Sequence, residues 1–432
     1  MEAIGSRKDM KIPSIVKAPA DGGVTLARVL LLAFLVTLVA STSPAVILEV
    51  VIYLVFAFSP ELRRRLRRAF MHPVGISVLP FGAVVALGVL HGPTSWHDAL
   101  GNLLGWRRLL LVPLALAVFD DEQSKRLLLK VLIGTGLVGT LASAIGFFGH
   151  MPGWWGRGVV FHNYAAQGIA FALAAAACMA AVMRPEAFTG DALLHDRRIT
   201  GAAAVVLAVD VVFILDGRSG YVSLVVMAVV LAALLARGSW RAKALAGVGV
   251  LLCVGVLLAS STHVRDGMAK AIHEIETVDE APGGTSVGQR VVMWRNSLRM
   301  IRDHAVFGVG SGGYQDGYRP YVRGVSEWQR FETDDPHNQF LKILGEQGAI
   351  GLAAFLFFIF RALTAPGATP YRELATAAVI GWCATSLANS HFSTFVEGQL
   401  LFFWVGAMFA GPRPASALWQ NAGAGAAAPG AG

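Results

Sequence analysis

Twelve apolar stretches, recurring at short intervals along the chain, constrain its fold more than any other feature. They cover roughly residues 24–40, 45–58, 74–90, 109–119, 127–148, 165–183, 201–215, 221–235, 244–260, 341–360, 374–387 and 399–409. Hydrocarbon offers the backbone no water, so a crossing segment must satisfy its own N–H and C=O groups, and about 20 apolar residues do so as one α-helix. A mean hydropathy of +0.58 with only 15% charged residues is foreign to soluble domains and suits a chain dissolved mainly in lipid. The predicted fold class is therefore all-α, a polytopic membrane protein of about 12 transmembrane helices. Four parts follow: residues 1–260 with helices 1 to 9, a loop domain at 261–340, residues 341–410 with helices 10 to 12, and a disordered tail at 411–432 rich in Ala and Gly.

The net charge of +8 does not point to nucleic acid, because the basic residues sit in short clusters between apolar runs. Lys and Arg beside spans are held on the cytoplasmic side. Arg7, Lys8, Lys11 and Lys17, then Arg63, Arg64, Arg65, Arg67 and Arg68, Lys125 with Arg126, Arg184 with Arg197 and Arg198, Arg237 with Arg241 and Lys243, and Arg361 with Arg372 all share one side if there are twelve spans. Both termini then lie inside, the first helix is retained rather than cleaved, and the loop 261–340 lies outside. The three cysteines, Cys178, Cys253 and Cys383, fall in apolar runs and read as core residues. No His or carboxylate cluster has metal-ligand spacing, so neither a metal nor another cofactor is expected. Among the charges inside spans, Glu49 and Asp210 are expected to pair with arginines, while Arg28 and Lys130 reach toward span ends.

On the outer side, His337 stands out. In Asp334-Asp335-Pro336-His337-Asn338-Gln339, Asp335 is a plausible N-cap and Pro336 a first helical residue. That would put His337 in the first turn of the tenth membrane helix, where the positive dipole end favours a neutral ring and free N–H groups attract anions. A histidine that simply caps the helix remains the alternative. Below it, Gly345, Gly348 and Gly351 recur every three residues and read as a bare helix face for close packing. Outer loops are poor in arginine, which makes Arg157, Arg218 and Arg290 conspicuous. Arg218 lies in a link of five residues, Asp216 to Gly220, too short to leave the membrane surface. Arg290 falls on the apolar face of an amphipathic run, between Trp294 and Ile301, while Arg295, Arg299 and Arg302 point elsewhere. An arginine aimed inward needs an anionic partner; lipid headgroups or a salt bridge to Asp216 are the ordinary alternative for Arg218, and a helix start that snorkels outward for Arg290.

The stretch Gly288-Gln289-Arg290-Val291-Val292-Met293-Trp294-Arg295, then Gly308-Val309-Gly310-Ser311-Gly312, then His337-Asn338 followed after nine residues by Gly348 and after two more by Gly351, resembles the signature of the O-antigen ligase and polymerase superfamily. Arg157 with Phe161-His162-Asn163, and Arg218 with Ser219-Gly220, resemble its arginine motifs; the likeness covers about residues 154–360. The resemblance implies an integral inner-membrane glycosyltransferase of the GT-C class, multi-pass, with its site facing the periplasm. Its substrates would be an undecaprenyl-diphosphate-linked glycan and a lipid A-core acceptor, alongside membrane lipids. His337 would be the general base, Arg157, Arg218 and Arg290 would hold the diphosphate, and His162, Asn163, Asn338 and Gln339 would support them, with Gly348 and Gly351 structural. The late position of the long outer loop favours a ligase over a polymerase. A transporter of lipid-linked sugars is the reading from another class, and the absence of an inverted repeat speaks against it.

Overall fold

The computed structural model of the protein describes residues 22–92, 95–149, 158–277, 285–322, 330 and 332–411. All its regular structure is helical: α1 Gly22–Ala40, α2 Thr42–Phe58, α3 Pro60–Met71, α4 Pro73–Gly88, α5 Trp96–Gly105, α6 Leu111–Val118, α7 Glu122–Phe148, α8 Tyr164–Met183, the short α9 Ala192–His195, α10 Arg197–Val209, α11 Arg218–Leu235, α12 Trp240–Ser260, α13 Thr262–Glu276, α14 Ser286–Asp303, α15 Tyr314–Tyr318, α16 Gln339–Thr364, α17 Tyr371–Thr385 and α18 Phe395–Phe409. Each of the twelve apolar runs falls on these helices. By length and apolar composition seven are fit to cross a membrane, eight if α2 and α3, bent by 100° at Ser59, count as one; α4 and α18 are shorter apolar helices. The expectation of twelve spans exceeds that count.

At the bend, the Ser59 hydroxyl accepts from Leu62 N–H and Pro60 opens α3, as a helix start requires. α3 buries Leu62 and Ala69 and carries five arginines on its remaining surface. Several of the basic residues between the apolar runs are held in ion pairs. Arg65 and Arg28 both reach Asp120, Lys130 pairs with Asp191, and Arg237 pairs with Glu186. Glu49 behaves as expected, buried against Arg107 Nη2 at 2.8 Å and bonded by Tyr53 at 2.6 Å. Asp210 does not: it is fully buried in a π-turn, Asp210–Ile214, with no arginine at ion-pair distance among the described residues. Of the cysteines, Cys178 is buried, but Cys253 is exposed on the outward face of α12.

α18 occupies the centre of the bundle, with every residue from Val396 to Phe409 buried. The alanine-rich α8 is nearly as enclosed and packs against α10 and α11. Its close approach to α11 depends on glycine, since a Cβ on Gly168 would lie 2.9 Å from the Gly220 Cα. That contact seats the first turn of α11, and with it Arg218. Residues 261–340 hold α13, which packs on α12 and α14, and then α14 and α15 around a small core of Met300, Val309, Tyr314, Tyr318 and Val322.

The three glycines of α16 do not form a uniform packing face. Gly348 has φ +64 and ψ −166 and breaks the helix. The interruption frees backbone groups on both sides, and the chain following α14 takes them up: Val309 N–H donates to Gly345 O and Gly310 N–H to Glu346 O, while Ala349 N–H donates to Ala305 O. A Cβ on Gly348 would stand 2.2 Å from Val306 O. Here glycine serves a backbone splice between the loop domain and a membrane helix, and only a residue without Cβ fits.

Candidate functional site

A cavity of about 320 Å³ opens where α8, α11, α14 and the end of α17 meet; Tyr164, Arg218, Ser219, Arg290 and Asn389 line it. Two arginines singled out by position in the sequence thus share one cavity. Arg218 stands at the start of α11 and is exposed, with Nη2 donating to Gly267 O of α13 at 3.3 Å. Arg290 lies in the second turn of α14, whose N-cap Thr285 accepts from Gly288 N–H. Its Nη1 donates to Ser286 Oγ at 3.0 Å, while its Nε is buried without a partner. Neither has a carboxylate at ion-pair distance among the described residues, so the bridge from Arg218 to Asp216 is not made. Burial, and next to it the charge of Arg218, hold the Arg290 guanidinium below its ordinary pKa, with Tyr164 and Glu274 acting the other way. An exposed and a half-buried guanidinium face one cavity, which Asp216 also lines, and their planar forks match phosphate oxygens.

A larger cavity, about 640 Å³, lies at the other end of the bundle, lined by Arg65, Arg68, His72 and Asp120. Its Arg65 is already neutralised by Glu61 and Asp120, which makes it the weaker candidate despite its size.

His337 differs from expectation in its local structure. α16 starts at Gln339, not at Pro336, because Asn338 is the N-cap: its Oδ1 accepts from Phe340 N–H at 3.0 Å and Leu341 N–H at 3.1 Å. Asp335 caps a tight turn instead, accepting from His337 N–H at 2.8 Å. His337 therefore precedes the helix, at φ +51, a conformation that costs a non-glycine residue free energy and recurs at functional sites. Nor are the first N–H groups of α16 open to an anion, since Gln339 N–H donates to Ser386 O and Asn389 O and Lys342 N–H to Asn338 O. The ring is half-buried with Nδ1 3.5 Å from Asn389 Oδ1. Asn389 lines the arginine cavity, so His337 joins it through one side chain.

The connection from α17 to α18, residues 386–394, was not singled out in the sequence, yet it assembles the site. Asn389 faces His337, Ser390 Oγ donates to Asp335 Oδ1 at 2.6 Å, and His391 Nε2 lies 2.9 Å from Ser219 Oγ. Gln339 accepts from Phe392 N–H and Ser393 N–H through Oε1, and Asn338 Nδ2 donates to Leu387 O, so these two residues position the connection. Trp294 Nε1 donates to Pro336 O at 2.9 Å, tying α14 to the turn that presents His337. The available signal was a cluster of Asn, Ser, His and Thr between the last two apolar runs.

Arg157 lies outside the described residues, as do the N-terminal basic cluster and residues 412–432. Asn163 caps α8, accepting from Ala166 N–H at 2.8 Å. His162 is not among the residues lining the cavity and donates its backbone N–H to Val39 O. Gly351 sits beyond the break, where a Cβ would meet Gln347 Cβ at 2.1 Å. Among the described residues no three His, Cys, Asp or Glu side chains gather as a metal ion would need.

Residues 203–356 match a family model described as O-antigen ligase. The matched segment contains Arg218, Arg290, His337 and the break at Gly348, while Tyr164 and the 386–394 connection lie outside it. Over 166 residues the chain is 25% identical to an uncharacterized protein of Haemophilus influenzae, covering 37% of this chain and 41% of that one. The chain thus spans about two fifths of the length of that curated relative. Arg218 and Arg290 share the cavity and His337 reaches it through Asn389, and all three lie in the segment that matches the O-antigen ligase family model.

Proposed function

We propose that the protein is an O-antigen ligase that moves O-antigen polysaccharide from undecaprenyl diphosphate to a hydroxyl of lipid A-core, at the periplasmic face of the inner membrane. The observation that carries this reading is the shared cavity of Arg218 and Arg290, which Asp216 also lines and neither of which is ion-paired among the described residues, with His337 joined to it through Asn389. Nucleotide sugars are absent from the outer side, so a glycosyl donor there is lipid-linked and its diphosphate lies at the membrane surface. The guanidinium groups bind that diphosphate and stabilise the charge it gains as it leaves. With Nδ1 of His337 turned to Asn389, Nε2 is the nitrogen free to take a proton. The acceptor oxygen attacks the anomeric carbon, its proton passes to His337, and the bond to the diphosphate breaks with the electron pair going to phosphate. One displacement inverts the anomeric configuration. Twelve spans and the GT-C class belong to the same proposal, with both termini cytoplasmic and residues 261–340 outside.

Base and clamp fail differently. His337→Ala is expected to lower turnover by about 10² to 10⁴ while donor still binds. Arg218→Ala loses donor affinity and turnover together, and Arg218→Lys recovers only part, because a point charge cannot replace the fork. Donor binding and turnover on the three variants decide the matter; a His337→Ala that cannot bind donor beside an Arg218→Ala that can would overturn the assignment.

A further inference from the structure

A buried polar chain behind the cavity wall has no part in the scheme above. Ser219 follows Arg218 at the start of α11 and lines the same cavity. Its Oγ lies 2.9 Å from Nε2 of His391, a ring with no exposed surface. On the far side, His391 Nδ1 faces Glu397 Oε1 at 3.6 Å, and Glu397 is itself buried at the start of α18. His391 is the sole ion-pair partner of Glu397 among the described residues. Arg108, also buried, fastens the same connection by donating to the carbonyls of Phe392 and Thr394.

Glu397 is buried, with the Arg108 guanidinium acting on it by charge and His391 facing it. A serine hydroxyl has one proton and two lone pairs, so an Nε2–H donated to Ser219 Oγ leaves the serine its own proton for another acceptor. The remaining open side of Ser219 is the cavity. A hydroxyl held by a buried imidazole and set beside two guanidinium groups is a further donor for a phosphate oxygen.

We propose that Ser219 is a third ligand of the donor diphosphate and that His391 and Glu397 are positioning residues that hold its hydroxyl in donating orientation. The inference rests on the reading of the cavity as a diphosphate site and adds a neutral donor to its two charged ones. It also gives the connection from α17 to α18 two tasks, orienting the base through Asn389 and arming the serine through His391.

The test uses the full-length protein in detergent micelles, with undecaprenyl diphosphate as probe and undecaprenol, which lacks the diphosphate, as reference ligand. Ser219→Ala is expected to weaken undecaprenyl diphosphate roughly 10- to 100-fold, the worth of a hydrogen bond to a charged group, and to leave undecaprenol unaffected. Ser219→Thr, which keeps the hydroxyl, recovers most of the loss. His391→Phe and Glu397→Gln weaken the same ligand, and the double variant Ser219→Ala/His391→Phe is no weaker than the worse single one, as for residues acting through one bond. Ser219→Cys, similar in size and a poor donor, replaces any alanine variant that fails to fold. Additive losses, or equal losses for undecaprenol, would show a structural role and overturn the inference. Normal diphosphate binding by Ser219→Ala beside its loss in Arg218→Ala overturns the serine alone; normal binding by Arg218→Ala overturns the cavity reading itself.

Discussion

Gly348→Ala tests the break in α16 directly. Alanine at φ +64, ψ −166 enters a region open essentially to glycine alone, at about 1–3 kcal/mol. Its Cβ would stand 2.2 Å from Val306 O, far inside contact distance, so the splice must separate. Separation weakens two bonds next to the break, Ala349 N–H to Ala305 O at 2.9 Å and Ile350 N–H to Val306 O at 3.4 Å, each worth about 1 kcal/mol net. The sum is roughly 3–5 kcal/mol. Gly134→Ala in α7 is the reference, because nothing lies within 4 Å of the added methyl and a helix interior favours alanine by up to about 1 kcal/mol. Denaturant unfolding of both variants in micelles, followed by tryptophan emission, gives the difference. If Gly348→Ala came within about 1 kcal/mol of Gly134→Ala, a continuous helix would serve equally well and the splice would not matter.

Asn389→Ala removes the side chain facing His337 Nδ1; turnover is expected to fall about tenfold, with no further loss in a His337→Ala background, as steady-state kinetics on the single and double variants would show. Arg107→Met strands the buried Glu49 carboxylate and is expected to destabilise by roughly 3 kcal/mol, with Glu49→Gln in the same chain restoring part of it in the unfolding assay. Turnover is expected to survive EDTA, since arginines supply the charge stabilisation; activity lost to the chelator and restored by Mg²⁺ or Mn²⁺ would refute that scheme.

Much of the architecture was legible because lipid leaves so little choice: an apolar run must become a helix, and all twelve runs fall on helices. Arg218 and Arg290 stood out because a cation on an apolar face or in a short outer link is costly without a partner, whereas His337 stood out for a helix-start position that it does not occupy. The helix start was misread because Asp335-Pro336 and Asn338 carry equally good capping chemistry, and the stronger cap is decided by where the 386–394 connection docks. The break at Gly348 was hidden for a related reason, since glycines spaced for packing and a glycine required by its φ look alike in one dimension. His391 and Asn389 were missed because an Asn or His between two spans is unremarkable until folding brings it beside residues 50 or more positions earlier. Asp210 was assigned an arginine that the fold does not bring to it.

The bond from Trp294 to Pro336 sets a tolerance for the whole site. Trp294 lies four residues after Arg290, about one helical turn, and Pro336 immediately precedes His337. The proposed clamp and base are therefore gauged against each other through one turn of α14 and one indole. The gauge has a phase as well as a length. Adding one residue between Arg290 and Trp294 would swing the guanidinium by about 100° around the axis while the indole stayed docked. Lengthening the chain between Trp294 and Pro336 would leave both in place only where it spares the splice at Ala305 to Gly310 and the core around Tyr314 and Tyr318. Selection on this chain should thus be strict about residue number within that single turn.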